Sequence, residues 1–436
     1  MNWGTKGEVQ YVFYIKYYLI YLCVSDKKIY YMVRLRKFEI TNYRSCLKSS
    51  LDLQNDLMCL IGVNGVGKTN LLNGLQLLKK LKTGRRMYHS SIRDSIGSLT
   101  KISATLSYRG KSITFKCDIR YETDDKNQDD ILDAKLKVNF SELTGNPKWF
   151  SFPLELFDYL NHQRSDNPNI VRHFYGINFI PSPKEVEIIS EIGAFIKRIS
   201  YYSASQFSDP TKCPISFELE DNKGYRQIRN IAYHEKFLND LFVNSKNNKK
   251  LFEKFLTTVN KQGIGLIDDI SFAEYDMPSS SYEVKSGGKI RKIERNRQLI
   301  IPYITIDKIQ LSPNQLSEGT FKTLALIFYI ITDDNDLLLI EEPEVCVHHG
   351  LLNSIISLIL SQSKKKQIVI STHSDFVLDR LQPDNLLIVK KMPRKGTTVK
   401  PLSKFLSKND YAALKNYLSE TGNLGEYWKE GGFENE

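Results

Sequence analysis

The chain has 436 residues, a formal net charge of +11, 41% hydrophobic residues and 25% charged residues. That length allows two or three domain-sized units with a large core, which excludes a small scaffold dependent on disulfide or metal staples. The six cysteines form no C-x-x-C pair and no Cys/His cluster of zinc spacing, which points to reduced thiols in a cytoplasmic protein.

The basic balance makes negatively charged partners candidates, whether nucleic acid, a nucleotide or an acidic protein. At the N-terminus, Tyr11 to Val24 is apolar and aromatic but is interrupted by Lys16. It is too short to span a membrane and lacks a signal-peptide cleavage site. Met32 begins a natural first strand, so residues 1–31 form an extension. Either the start is misassigned or this is an aromatic arm that docks on a partner.

Arg34 to Thr41 alternates as a strand does, with Leu35, Phe38 and Ile40 as its apolar marks. A turn at Asn42 to Ser45 follows, then apolar residues up to Leu57-Met58-Cys59-Leu60-Ile61. Gly62 to Thr69 reads GVNGVGKT and leads into a helical stretch reaching about Leu81. Strand, glycine-rich turn and helix in that order make a phosphate-binding loop. Gly62, Gly65 and Gly67 let backbone N–H groups turn onto phosphate oxygens, and the helix N-terminus adds its dipole. Lys68 suits the β- and γ-phosphates of ATP, and the Thr69 hydroxyl suits Mg²⁺. The helix ends in Lys79, Lys80, Lys82, Arg85 and Arg86, which either cap it or face a polyanion.

Lys101 to Tyr108 and Ser112 to Tyr121 form a predicted hairpin around Arg109-Gly110. A polar loop at Thr123 to Asp130 and a strand at Ala134 to Phe140 follow. The pattern is helical from Trp149 to Ile199, with a loop at Asn161 to Asn169. Ser200 to Gln206 is a strand feeding a turn at Asp209-Pro210, and Ile215 to Leu219 is another strand. Ile231 to Phe255 is helical and is broken by Asn244 to Lys250. Tyr282 to Ile309 reads as strands around a Ser286-Gly287-Gly288 turn. Its Lys285, Lys289, Arg291, Lys292, Arg295 and Arg297 fit a solvated face better than a nucleic-acid surface.

Ser317 is a natural N-cap for the apolar helix that follows Leu316-Ser317-Glu318-Gly319-Thr320. Leu337 to Ile340 is a continuous apolar run, as in a buried parallel strand. It ends in Glu341-Glu342-Pro343-Glu344. Carboxylates at such a strand end sit beside a phosphate loop. Glu341 can hold Mg²⁺, and Glu342 can orient the attacking water. A helix spans Gly350 to Leu360. The strand Gln367 to Ile370 ends in Ser371-Thr372-His373-Ser374, which puts His373 at the same sheet edge, as a sensor of the terminal phosphate or a catalytic residue. His348 and His349 are adjacent and cannot share a helix face, so they make no metal site.

The segments LRKFEITNYRSC, GVNGVGKTN, LSEGT, LLLIEEPE and STHS, in this order, resemble the ABC-type ATPases of the SMC and RecF-like group over residues 32–395. The resemblance implies an α/β ABC-type P-loop ATPase head. An antiparallel β-subdomain and a helical lobe would be inserted between the Walker A and signature motifs. The expected divisions are an extension at 1–31, ATPase halves at 32–125 and 306–395, an inserted lobe at 126–305 and a tail at 396–436. ATP would be sandwiched in a dimer or larger homo-oligomer. Asn64, Gly65, Gly67, Lys68, Thr69 and Asn70 of one subunit would face Ser317 and Gly319 of the other. Arg44 matches an arginine that contacts nucleotide, Glu342 the catalytic glutamate and His373 the switch histidine, with Lys68 also in the catalytic set.

Glu341 stands where the group has aspartate, which predicts slow turnover. The Q-loop glutamine is either Gln128 or Gln206, and the long coiled coil of SMC proteins is absent. YYSASQFSDP and EEPEVCVHHG are similar to stand-alone bacterial ATPases of the overcoming-lysogenization-defect and anti-phage type. The stretch after His373 is too short for a TOPRIM nuclease domain, so a separate effector is expected. The Septu ATPase, partnered by an HNH nuclease, is the leading comparison, and the PARIS ATPase, partnered by a TOPRIM protein, is the second. A RecF-like DNA repair ATPase and a non-hydrolysing nucleotide-gated scaffold are the alternatives. No membrane association is expected.

Overall fold

Burial along each segment explains which element it forms. The structure is a computed structural model that describes residues 33–81, 99–123, 130–139, 149–153, 183–220, 232–284, 290–345, 347, 349–420 and 422–433. The extension 1–31, Lys82, Arg85, Arg86, Gln128, the loop at 161–169, the turn at 286–288 and His348 lie outside them.

Strand β1 (Arg34–Tyr43) buries Leu35, Phe38 and Ile40 and returns through Arg44-Ser45 into β2 (Cys46–Asp52). Strand β3 (Leu57–Ile61) is buried at all five positions. It leads through the glycine loop into α1 (Lys68–Leu81). The predicted hairpin is β4 (Leu99–Tyr108) and β5 (Lys111–Thr123). Arg109 (φ 51°) and Gly110 (φ 74°) are both left-handed, as a two-residue turn matching strand twist requires. Strand β6 (Asp130–Asn139) follows.

One expectation fails next. Trp149 to Pro153 is not helical; it is strand β7 (Trp149–Pro153), paired antiparallel with β6. The aromatic alternation Trp-Phe-Ser-Phe favours a pleated strand, and Pro153 suits its end. The helix observed in this region is α2 (Pro183–Lys197), with proline at its first position.

Strands β8 (Ile199–Ser203) and β9 (Phe217–Glu220) precede α3 (Tyr233–Asn247) and α4 (Lys249–Val259), which break at Asn248 as expected. The long hairpin of β10 (Asp269–Val284) and β11 (Ile290–Ile306) starts well before Tyr282. Its early stretch holds Asp, Ala, Pro and Ser, poor strand formers. Continuous pairing with β11 holds it extended. Strand β12 (Ile309–Leu311), α5 (Glu318–Thr332), β13 (Leu337–Glu341), α6 (His349–Ser363) and β14 (Gln367–Thr372) follow. The chain then forms α7 (Asp375–Leu378), β15 (Leu386–Met392), β16 (Gly396–Pro401), α8 (Leu402–Phe405), α9 (Lys408–Glu420) and α10 (Leu424–Lys429).

These elements fall into two compact units. The first holds the described residues up to Asp52 and from Gly74 to Arg198, including an antiparallel sheet of order β2-β1-β4-β5-β6-β7. The second holds Leu53–Asn73 and the described residues from Ile199 onward. Its main sheet runs β16-β15-β3-β14-β13-β8, parallel except for the edge strand β16. The phosphate-loop strand β3 and the acidic strand β13 are therefore separated by β14. A smaller antiparallel sheet joins β9, β10, β11 and β12. The architecture is α/β, a mainly parallel sheet accompanied by antiparallel sheets and several helices, as the sequence predicts.

The second unit's core is strongly aromatic around α5. Phe237 meets Phe321 edge-on at 5.4 Å and Phe328 at 5.6 Å, and Phe255 meets Phe328 at 5.3 Å. Each such pair contributes about 0.5–1.5 kcal/mol beyond area burial. Among the described residues, no helix is long and apolar enough to cross a membrane.

Candidate nucleotide-binding site

The phosphate loop is braced from behind by the last hairpin of the sheet. A Cβ on Gly62 would collide with the Val389 carbonyl oxygen of β15, so only glycine fits there. The Thr397 hydroxyl of β16 donates to the Val66 carbonyl at 2.8 Å. Gly65 (φ 81°) and Gly67 (φ 105°) take conformations that side chains rarely adopt. Lys68 curls back and donates from Nζ to the carbonyls of Gly62 (2.8 Å) and Val63 (3.3 Å). Burial holds its pKa below the ordinary lysine value. The nearby Glu342, Glu344, Cys59 and Glu341 act in the opposite sense. Asn64 and Thr69 are exposed and Asn70 is half-buried, so the predicted loop residues form one continuous stretch.

The acidic end of β13 meets this loop directly. The Thr69 hydroxyl donates to Glu341 Oε1, and the Tyr201 hydroxyl donates to Glu341 Oε2. Tyr201 lies on β8, the neighbour of β13. Burial, then its bond to Glu341, raises the Tyr201 pKa far above the usual phenol value, so it stays a proton donor. These two hydroxyls hold both carboxylate oxygens and accommodate the extra methylene of glutamate over aspartate. Among the described residues, no group of three or more His, Cys, Asp or Glu side chains could cage a metal. One hydroxyl and one carboxylate suit Mg²⁺, which keeps water and phosphate oxygens as its other ligands.

Glu342 leaves the strand with φ 46°, uncommon for a non-glycine residue, and its N–H donates to the Ser371 carbonyl at 2.9 Å. Its Oε1 is 3.2 Å from His373 Nδ1. The structure therefore brings Lys68, Thr69, Glu341, Glu342 and His373 to one end of the parallel sheet. Glu344 joins them: its Oε1 accepts from the Thr372 hydroxyl at 2.7 Å and from the His373 N–H at 3.1 Å. Burial raises its pKa above the usual carboxylate value.

Ser317 caps α5 as expected, its Oγ accepting from the Thr320 N–H at 3.1 Å. Glu318 beside it pairs with Lys322 at 2.6 Å. Among the described residues, no hydrogen bond joins Ser317 or Gly319 to the phosphate loop. Arg44 belongs to the first unit, with its guanidinium 5.5 Å from the Tyr43 ring centroid. Gln206 lies in the turn after β8, its Oε1 accepting from the Ser203 N–H at 3.3 Å.

Two contributors are not evident from the sequence. Tyr201 reads as one more apolar residue in a strand, and only the pairing of β8 with β13 brings it to Glu341. Glu344 reads as the end of an acidic run. The available signal was a third carboxylate just past a proline at the same strand end.

A family model described as "AAA domain, putative AbiEii toxin, Type IV TA system" matches residues 57–379. The Old nuclease of Escherichia phage P2 is 22% identical over 386 residues, covering 82% of this chain and 59% of that protein. The DNA replication and repair protein RecF of Leptospira biflexa serovar Patoc is 27% identical over 180 residues, covering 39% of this chain and 41% of that protein. The chain thus spans 59% and 41% of the length of these two curated relatives. Among solved structures, the SMC head domain from Thermotoga maritima aligns with a TM-score of 0.41 at 12% identity, covering 84% of this chain and 98% of that one. The Smc head domain of Pyrococcus furiosus, with an extended coiled coil and bound to the C-terminal domain of ScpA, aligns with a TM-score of 0.45 at 13% identity, covering 89% and 100%.

Proposed function

The chain belongs to this AAA-domain family, and from that membership we propose that it is a slowly hydrolysing ATPase that regulates a separate effector nuclease in anti-phage defence. The observation that carries the hydrolytic part is the convergence of Thr69, Glu341, Glu342 and His373 at one sheet edge.

In this reading, Thr69 and Glu341 would hold Mg²⁺, which would supply neutralising positive charge for phosphoryl transfer. Lys68 exchanges its loop carbonyls for phosphate oxygens. Glu342 orients the attacking water and accepts its proton. His373 senses the terminal phosphate through the ring edge opposite Nδ1. Ser317 and Gly319 of a second copy complete the site. ATP thereby controls assembly in the cytoplasm, and assembly holds or releases the effector.

The toxin and toxin–antitoxin terms in the family description support the defence role, as does similarity to a phage nuclease. A Septu-type partner, an HNH nuclease, is the first choice and a PARIS-type TOPRIM protein the second. The test is co-purification with the product of the neighbouring gene, with and without ATP, measuring stoichiometry and phosphate release together. An ATP-dependent complex with slow turnover supports the proposal, whereas turnover without any partner removes its regulatory half. A RecF-like DNA-binding ATPase is the second reading, favoured by the RecF match and the net charge of +11. It predicts DNA binding that falls steeply with salt.

A further inference from the structure

We infer that Glu344 is a positioning residue that fixes the ring and loop of His373 from behind, acting through Thr372 and His373 without touching nucleotide. The inference rests on the ATPase reading of this site and adds a residue to it.

Two hydrogen-bond donors converge on one oxygen, and a third nitrogen lies close to it. Glu344 Oε1 accepts from the Thr372 hydroxyl (2.7 Å) and the His373 N–H (3.1 Å), and it lies 3.5 Å from His373 Nδ1. The direction of the first bond is fixed by its neighbour. The Ser374 N–H, which can only donate, gives its hydrogen to Thr372 Oγ1 at 3.0 Å. The Thr372 hydroxyl hydrogen is then free to go to Glu344. One carboxylate oxygen thus ties down Thr372 and His373 directly, and Thr372 in turn holds Ser374.

The ring is fixed by the same group. His373 Nδ1 lies between Glu342 Oε1 at 3.2 Å and Glu344 Oε1 at 3.5 Å. Ionised carboxylates only accept, so Nδ1 carries the hydrogen. Both acceptors lie on that side of the ring, which leaves Nε2 as the nitrogen offered to a ligand. The His373 side chain is 40% exposed, whereas that of Glu344 is 10% exposed. Glu344 is therefore placed to hold the histidine and not to reach substrate.

A purely structural loop brace has no need of a carboxylate. The second oxygen, Glu344 Oε2, is buried and has no hydrogen-bond partner, an arrangement that proteins rarely keep without a reason. A neutral amide or a hydroxyl could hold the loop alone. What a carboxylate adds is a second acceptor facing Nδ1, which selects one tautomer and one ring orientation.

The experiment compares Glu344→Ala, Glu344→Gln and wild type by steady-state ATP hydrolysis and by ¹⁵N-edited NMR of the histidine rings, with His373→Gln providing the assignment. Removing a supporting partner of this kind lowers activity about 10–100-fold. Glu344→Ala is expected to lower kcat by that factor, leave KM for ATP unchanged and convert the single Nδ1–H tautomer of His373 into a mixture. Glu344→Gln, whose amide can still hold the loop but which lacks the carboxylate, is expected to fold normally and to lose part of the turnover and part of the single-tautomer signal. Wild-type kcat in the alanine variant, or an unchanged His373 ring spectrum, overturns the inference. If alanine prevents folding, Glu344→Asp withdraws the same oxygen and is judged by the same two readouts. Absence of hydrolysis in the wild-type protein would sink the ATPase reading, and the ring spectrum would still decide the role of Glu344.

Discussion

The N-termini of α1 and α5 are built from similar parts and are left in opposite states. Both lie in the same unit, one after a glycine-rich loop and the other with Gly319 as its second residue, and both carry residues assigned to nucleotide. At α1 the first turn holds no acidic residue, the loop glycines take left-handed conformations and Lys68 lies against loop carbonyls. Its N–H groups and its cation are arranged for an incoming anion. At α5 the Ser317 hydroxyl already accepts from the Thr320 N–H, and Glu318 adds a negative charge to the first turn. Pairing with Lys322 holds the Glu318 carboxyl below its usual pKa, so the charge persists. One helix end is ready for phosphate within a single chain, whereas the other satisfies itself. That difference is expected of a site whose second half acts only across an interface.

The comparison breaks first at Glu342. Replacing it with glutamine removes the group proposed to activate water, and general acid–base catalysis contributes typically about 10²–10⁴-fold. Turnover should fall within that range while ATP affinity holds and ATP-bound oligomers accumulate on size-exclusion chromatography. Hydrolysis at the wild-type rate would mean that another group activates the water.

Lys68→Ala attacks the prepared end itself. A hydrogen bond to a charged group is worth about 1.5–3 kcal/mol, roughly 10–100-fold in affinity. Nucleotide affinity, read by titration calorimetry on the monomer, should drop by about that much, and retention of tight binding would contradict the role assigned to α1.

Ser317→Ala sharpens the contrast from the opposite side. Loss of the cap should cost about 1 kcal/mol of stability, read in chemical denaturation. ATP affinity of the monomer should stay unchanged, and only ATP-driven assembly should weaken. A fall in monomer affinity would place both helix ends in one site within one chain.

The smallest expected effect is in pH. Burial raises the Glu344 pKa in the folded protein above the ordinary glutamate value. The unfolded chain ionises this group more readily, so it opposes folding at neutral pH. That opposition fades as pH falls through the raised folded value towards the ordinary one. Glu344→Gln should therefore be more stable than wild type at pH 7–8. Each pH unit separating the folded and unfolded pKa values is worth about 1.4 kcal/mol. The variant's advantage in melting temperature should shrink on acidification, and an advantage that grew instead would show the sign to be wrong.

Much of the parallel sheet was legible because its strands are continuous apolar runs, such as Leu57 to Ile61 and Leu337 to Ile340, each ending in polar chemistry. The β4–β5 hairpin was legible from Arg109-Gly110, which few other turns tolerate. Strand β7 was not, because a short aromatic segment beside helical periodicity carries little evidence of its own. The start of β10 was hidden by its serines and proline, which become strand only through pairing with β11. Around the site, residues within one motif could be placed from spacing. The bond from Tyr201 to Glu341 joins residues 140 apart in sequence. It depends on strand order, which local pattern does not encode.

The hydrogen bond from Thr397 to the Val66 carbonyl has a consequence for the entropy of binding. A glycine-rich loop is among the most conformationally free stretches a chain can contain, and ordering it on ligand capture would weaken affinity. Here the edge strand β16 supplies a fixed anchor, and β15 presses against Gly62. The loop's disorder is therefore removed during folding, well before any ligand arrives. Affinity for nucleotide is in part a property of this distant hairpin, and a change there can alter it without altering any residue that touches phosphate.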